Sequence, residues 1–390
     1  MEWLTQRFEL SRGGGAHNVR PMEGLRGFAV FLVFLVHYVS LAQPWFAENS
    51  GILALADAIH TMGNAGVDLF FVLSGYLIYG TLISRPQPFA RFMSRRVKRI
   101  YPAFLAVFLA YIALSFAFPA ENKIPALAPD AILYLVQNLL LLPGLFPIEP
   151  MITVAWSLSY EMAYYLAIPA LITLFRMRDA STAWRVSFFS ILAAATAFCC
   201  AVYGGPVRLI MFVSGILLYE AIDSRIPTPP SAVGLLALVL GLLGTLLPLA
   251  GSGGFTLKIA ILFVSFFLLC LACFRDASVW LARAFSWTPV RWLGNMSYSY
   301  YLLHGLALKA CFIALAVVLP ISHHGSWLFW ALLPLMFGLT LIPTALLFLA
   351  IERPLSLATN RARRGGVGPA HDYALHKAAE VDAQTARHLP

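Results

Sequence analysis

The sequence predicts an all-α, polytopic membrane protein of about ten transmembrane helices with both termini in the cytoplasm. Three observations lead there. Of the 390 residues, 60% are hydrophobic and only 12% charged, and the mean hydropathy is +0.78. A soluble domain spends roughly 25% of its residues on charge, so a chain this apolar needs lipid as its solvent. Second, apolar runs near the roughly 20 residues that cross a bilayer recur along the whole chain. Third, the connections between them alternate between basic and non-basic.

The runs lie at about 24–42, 64–83, 100–118, 154–175, 186–203, 206–222, 232–250, 255–274, 296–319 and 326–350. The segment 131–148 is also apolar but is short and broken by Pro143 and Pro147, so it is expected as an interfacial or re-entrant piece. Arg and Lys collect on the cytoplasmic side of membrane proteins. The N-terminal arm has Arg7, Arg12 and Arg20, whereas the first loop, 43–63, has neither Arg nor Lys. Arg85, Arg91, Arg95, Arg96, Lys98 and Arg99 fill the second loop, and the third has only Lys123. Arg176, Arg178 and Arg185 precede a bare turn at Gly204-Gly205, and Arg225 precedes an uncharged one at 251–254. Arg275, Arg283 and Arg291 come next, then His323-His324, then Arg353, Arg361, Arg363 and Arg364. The alternation places both termini inside. It divides the chain into a cytoplasmic arm (1–20), a membrane domain (21–355) and a mobile cytoplasmic tail (356–390), poor in large apolar residues. The net charge of +9 sits in these short clusters rather than on one soluble face, which argues against nucleic acid.

The N-terminus lacks a short cleavable apolar core, so the first span is expected to be retained. The five cysteines, Cys199, Cys200, Cys270, Cys273 and Cys311, all fall inside apolar runs. The Cys270-x-x-Cys273 spacing inside a span reads as packing rather than redox chemistry, and no disulfide framework is implied. His323-His324 reads as solvated surface, without other ligands at metal-binding spacing. No Walker loop, HExxH or GxSxG is present, which argues against ATP use, zinc proteolysis and ordinary serine hydrolysis.

Ionisable groups inside spans cost about 2.5–3.5 kcal/mol on insertion scales, and each is a functional candidate. The first span carries Arg26 near its cytoplasmic start and His37 eleven residues on, roughly 16 Å further. Asp68 lies just over one turn into the second span from outside, and Glu161 about two turns into the fourth. The three groups His37, Asp68 and Glu161 are therefore expected at similar depth. An imidazole beside carboxylates suits proton transfer from a hydroxyl; a satisfied core histidine is the competing reading. The run Arg95-Arg96-Val97-Lys98-Arg99 can serve topology alone or bind phosphates. Tyr298, Tyr301 and His304, three residues apart, share one helical face, suiting either a cavity wall or an interfacial belt.

Several segments together resemble the acyltransferase-3 family of membrane O-acyltransferases. They are Glu23-Gly24-Leu25-Arg26 followed by His37; Gly66-Val67-Asp68-Leu69-Phe70-Phe71 continuing through Ser74-Gly75; Arg95-Arg96-Val97-Lys98-Arg99-Ile100-Tyr101-Pro102; Ala155-Trp156-Ser157-Leu158-Ser159-Tyr160-Glu161; Leu293-Gly294-Asn295-Met296-Ser297-Tyr298 through His304; and Glu352-Arg353-Pro354. They occur in family order up to residue 356. The chain has Glu23 where many members have Asp, and Met162 where many have a second carboxylate after Glu161, which puts a paired-carboxylate role in doubt.

The resemblance implies transfer of an acyl group, usually acetyl, from cytoplasmic acyl-CoA to a sugar hydroxyl at the outer face of a bacterial inner membrane. The acceptor would be a glycan such as lipopolysaccharide or exopolysaccharide, acyl-CoA a donor substrate rather than a bound cofactor, and no metal is needed. His37 is the implied catalytic residue, with Arg26, Glu23, Asp68 and Glu161 around it. Arg26, Arg95, Arg96, Lys98, Arg99, Tyr298, Tyr301 and His304 are the implied acyl-CoA contacts, and Trp156, Ser157, Ser74, Ser297 and Arg353 the implied channel. The family's frequent extracytoplasmic hydrolase-like domain is not in this sequence, so the chain is expected to complete transfer alone or to pass the acyl group to a partner in envelope-glycan biosynthesis. The alternative reading is a proton-coupled transporter, whose buried His and carboxylates would look alike.

Overall fold

A computed structural model describes residues 2–10, 20–46, 51–224, 226–321 and 325–357. Arg12, Arg225, His323-His324 and the tail beyond residue 357 lie outside the described residues. The described chain is helical throughout, without a strand. In order the helices are α1 (Glu2–Phe8), α2 (Arg20–Ala42), α3 (Gly51–Gly63), α4 (Ala65–Ser84), α5 (Phe89–Ala117), α6 (Ala128–Leu139), α7 (Trp156–Leu174) and α8 (Thr182–Tyr203). They continue with α9 (Ile210–Asp223), α10 (Ser231–Gly244), α11 (Gly251–Phe274), α12 (Trp280–Phe285), α13 (Thr288–Asn295), α14 (Ser297–Val318) and α15 (Trp327–Leu347). The last widens into a π-helical stretch, Phe348–Leu357.

A helix occupies each of the ten apolar runs. Seven helical stretches among the described residues are long and apolar enough to cross a membrane: Arg20–Trp45, Gly51–Ser84, Phe89–Ala117, Thr182–Tyr203, Gly251–Phe274, Ser297–Val318 and Trp327–Leu357. The other three fall short for physical reasons. Helix α7 has the length, 19 residues, but Ser157, Ser159, Tyr160, Glu161, Tyr164 and Tyr165 lower its hydropathy. Helices α9 and α10 have 14 residues each, about 21 Å of rise. The protein is therefore an all-α, multi-pass membrane protein.

Its outer surface agrees. Leu174, Phe198, Val317 and Val318 are more than two-thirds exposed, an apolar coat that suits lipid rather than water. The interior is organised around α4, which packs on α2, α7, α9 and α11. Helices α4 and α9 approach so closely that a Cβ on Gly75 would sit 2.1 Å from Phe212 O, and one on Gly215 would sit 2.0 Å from Val72 O. Small residues at such a crossing are the usual means of tight packing in lipid. The loop 43–63, expected as a plain connection, instead forms α3 and packs against α2. The loop after α11 likewise folds into α12 and α13, both packed on α2.

The apolar segment 131–148 divides into α6 and a tight turn. Leu141 and Gly144 have φ of 57° and 96°, and a Cβ on Gly144 would meet Trp156 O at 2.5 Å. Asn138 ties this turn to the start of α7 by accepting from Met151 N at 2.8 Å, and Ser159 donates to Pro143 O. These contacts set where the polar first half of α7 enters the helical body.

Candidate active site

The run from Arg95 to Arg99 lies inside α5, which begins a full eleven residues before the apolar stretch. Helical spacing then splits it in two. Arg95 and Lys98 face outward and are exposed, whereas Arg96 and Arg99 line an internal cavity of about 120 Å³. Arg26 of α2, Glu161 of α7, Ser74 of α4, and Ser297, Tyr298 and Tyr301 of α14 line the same cavity. Three guanidinium groups stand against Glu161 in the wall and Glu352 behind Arg99, leaving a positive excess that suits an anion.

Each charge is held by a named partner. Arg26 donates from Nε and Nη2 to Ser297 Oγ at 3.3 and 3.2 Å. Arg99 pairs with Glu352 Oε1 at 2.5 Å and lies over the ring of Tyr298. Glu352 is fully buried, and its other oxygen accepts from Ser299 N at 3.0 Å and Ser299 Oγ at 2.5 Å. Arg96 rests against the rings of Phe92 and Tyr165. Glu161 accepts from Ser74 Oγ at 3.0 Å and from the Tyr165 hydroxyl.

Tyr301 and Ser157, both in the cavity wall, share a hydrogen bond of 2.8 Å between their hydroxyls, and Tyr301 also donates to Val154 O at 2.9 Å. Past it lies His304, one turn further along α14. Its ring is 6.3 Å from that of Tyr301 and 5.0 Å from that of His37. Helices α2 and α14 thus meet at two levels, Arg26 with Ser297 and His37 with His304. His304 is fully buried and is not among the residues that line the cavity.

The carboxylates depart from expectation. Asp68, Glu161 and His37 do not converge: among the described residues, neither carboxylate bonds to His37. Depth along a helix says nothing about direction around it. Glu161 bonds to Ser74, which is six residues, about 9 Å, along α4 from Asp68 and on a different side. Asp68 is fully buried and pairs with Arg208 at 2.6 Å. Arg208 in turn lies between the rings of Trp156 and Phe255, which draws Trp156 away from the cavity wall. Glu23 also serves elsewhere. It is buried and pairs at 3.0 Å with Arg291 of α13, which binds Glu9 as well. Arg353 donates to Gln6 O at 2.7 Å and so holds α1 rather than a channel. Two further charges did not stand out in the sequence: Arg208, which is partly buried, and Glu220, which is fully buried and pairs at 2.7 Å with the partly buried Arg185. Their signal was present, because Arg208 and Glu220 both lie in the apolar run 206–222, where a charge is expensive.

Comparison with known proteins decides the family. Residues 21–349 match the family described as an acyltransferase domain, acyltransferase-3. This chain belongs to that family. Members with curated names include the acyltransferase MdmB of Streptomyces mycarofaciens, 27% identical over 381 residues that cover 89% of this chain and 94% of MdmB. The putative peptidoglycan O-acetyltransferase YrhL of Bacillus subtilis is 26% identical, covering 86% of this chain and 54% of YrhL. The O-acetyltransferase OatA of Staphylococcus aureus is 30% identical, covering 73% of this chain and 49% of OatA. The chain spans about half the length of these last two relatives. No solved structure matches it. As an acyltransferase-3 member it is a membrane acyltransferase, and the relatives favour O-acyl transfer.

Proposed function

We propose that this acyltransferase-3 protein moves an acyl group, acetyl in the simplest case, from cytoplasmic acyl-CoA to a sugar hydroxyl of an envelope or exported glycan. It would do so across the bacterial inner membrane, through ten spans with both termini inside. The observation that carries this reading is the cavity itself. Three arginines line it, and so does Tyr301, whose ring neighbours His304, which in turn neighbours His37. Arginines at the cytoplasmic end suit the phosphates of CoA. The cavity is far smaller than the roughly 300–1,000 Å³ of ordinary ligand sites, so it suits an extended thiol arm that opens its own path. The acceptor reaches His37 from the opposite side.

In this reading His37 is the general base. It takes the proton of the acceptor hydroxyl while the oxygen attacks the thioester carbon. Arg26 anchors the donor below it, and Glu161 with Ser74 shapes the passage. Family membership does not favour a transporter.

The test is release of free CoA from acetyl-CoA by purified protein in lipid bilayers, wild type beside His37→Ala, with native membranes supplying acceptor. Wild type should release thiol, and the variant should fall by about 10²-fold or more, the usual contribution of a general base. Equal release by both would remove His37 from the chemistry. Labelled acetyl recovered on protein in the absence of acceptor would replace direct transfer with an acyl-enzyme route.

A further inference from the structure

His304 has one ring nitrogen in use and one idle. Nδ1 lies 2.9 Å from both Tyr300 O and Tyr301 O. Carbonyls only accept, so Nδ1 carries the hydrogen and Nε2 is left with a bare lone pair. Nε2 is buried and has no hydrogen-bond partner. An idle buried acceptor of this kind is uncommon and points to a donor that arrives at work.

The neighbours narrow the choice. Three aromatic rings surround His304: His37 at 5.0 Å, Tyr300 at 5.4 Å and Tyr301 at 6.3 Å. The hydroxyl of Tyr300 is shared with Thr340 at 2.7 Å, and that of Tyr301 is engaged by Ser157 and Val154. Of the three, His37 alone has an uncommitted N–H to give. Two imidazoles joined through N–H···N stand with their centres roughly 5 Å apart, which is the separation found here. The rings meet edge-on at 61° without that bond, so forming it requires the His37 ring to turn.

We propose that His304 Nε2 is the acceptor that orients His37 and takes the hydrogen bond of its N–H once His37 is charged. This rests on the reading in which His37 is the general base. In that step the acceptor O–H bond breaks and its proton moves to the free nitrogen of His37. The oxygen bonds to the acyl carbon, the carbon–sulfur bond breaks, and its electron pair leaves on the CoA thiolate. His37 then returns the proton to that thiolate. His304 exchanges no proton and is a positioning residue. It takes over the orienting part that Asp68 and Glu161, held by Arg208 and by Ser74 with Tyr165, do not fill. The other titratable group facing His37 is His60 of α3.

The experiment compares wild type, His37→Ala, His304→Phe and His304→Gln as full-length protein in lipid nanodiscs. One readout is labelled acetyl transfer from acetyl-CoA into acceptors of native membranes. The second needs no substrate: the pH dependence of His37 carbethoxylation by diethyl pyrocarbonate, followed by mass spectrometry. His304→Phe keeps the stack on Tyr300 and deletes the acceptor. It should lower kcat about 10²-fold with KM for acetyl-CoA unchanged, and move the carbethoxylation midpoint to lower pH by about one unit. His304→Gln restores an acceptor near Nε2 and should recover about tenfold of the loss. A fall in kcat with an unmoved midpoint marks a purely structural role and overturns the proposal, as does no change in either. Transfer at the wild-type rate by His37→Ala overturns the parent reading instead. If His304→Phe yields no folded protein, His304→Leu is read in its place by the same criteria.

Discussion

Asp68 has no exposed surface, and among the described residues its one ion-pair partner is Arg208. One of its oxygens, Oδ1, is buried without a hydrogen bond, so the carboxylate depends heavily on that single pair. Removing one member of a buried pair strands the other, at a cost of about 3–5 kcal/mol. Asp68→Ala and Arg208→Ala should therefore each lower the thermal midpoint in detergent, while the double variant loses clearly less than the sum. Additive losses would show that the two residues act separately. Asp68 was legible in the sequence as an expensive buried charge, but its partner was not sought. Arg208 follows the turn at Gly204-Gly205, and that turn holds no charge of its own. The rule that singled out His37 applies equally to an arginine at the mouth of an apolar run.

At the level of one element, α5 shows how helical geometry sorts a cluster of like charges. Arg96 and Arg99 face the cavity, and Arg95 and Lys98 face away. The string of basic residues read as a loop, so the sequence offered no means of separating them; once the segment is helical, the three-residue spacing does so directly. Arg96→Ala should raise KM for acetyl-CoA about tenfold or more, the worth of a charge-assisted contact. Lys98→Ala should leave it within about twofold. Steady-state thiol release at varied acetyl-CoA measures both, and equal effects would mean that the two faces contribute alike. The motif at Glu352 was legible only as a closing signature. Its work becomes clear in three dimensions, where the π-helical stretch carries the carboxylate inward to Arg99 and Ser299.

For the molecule as a whole, hydropathy located ten apolar runs that each hold a helix, seven of them long and apolar enough to cross a membrane. It could not reveal α3, α12 and α13, whose stability comes from packing on α2 rather than from pattern. Nor could it show the crossing of α4 and α9, which rests on Gly75 and Gly215 lying face to face. Gly215→Leu should force that crossing apart and destabilise the protein by about 1–3 kcal/mol or more. Unfolding in detergent would register it, and an unchanged midpoint would mean that the crossing yields freely. Tyr301 and Ser157 have a further consequence, and it is electrical. On the proposed function an acyl group crosses an energised membrane here, and a continuous file of water along its path would short-circuit the proton gradient. In that reading the bonded hydroxyls of Tyr301 and Ser157, both in the cavity wall, would interrupt such a file while no substrate is present.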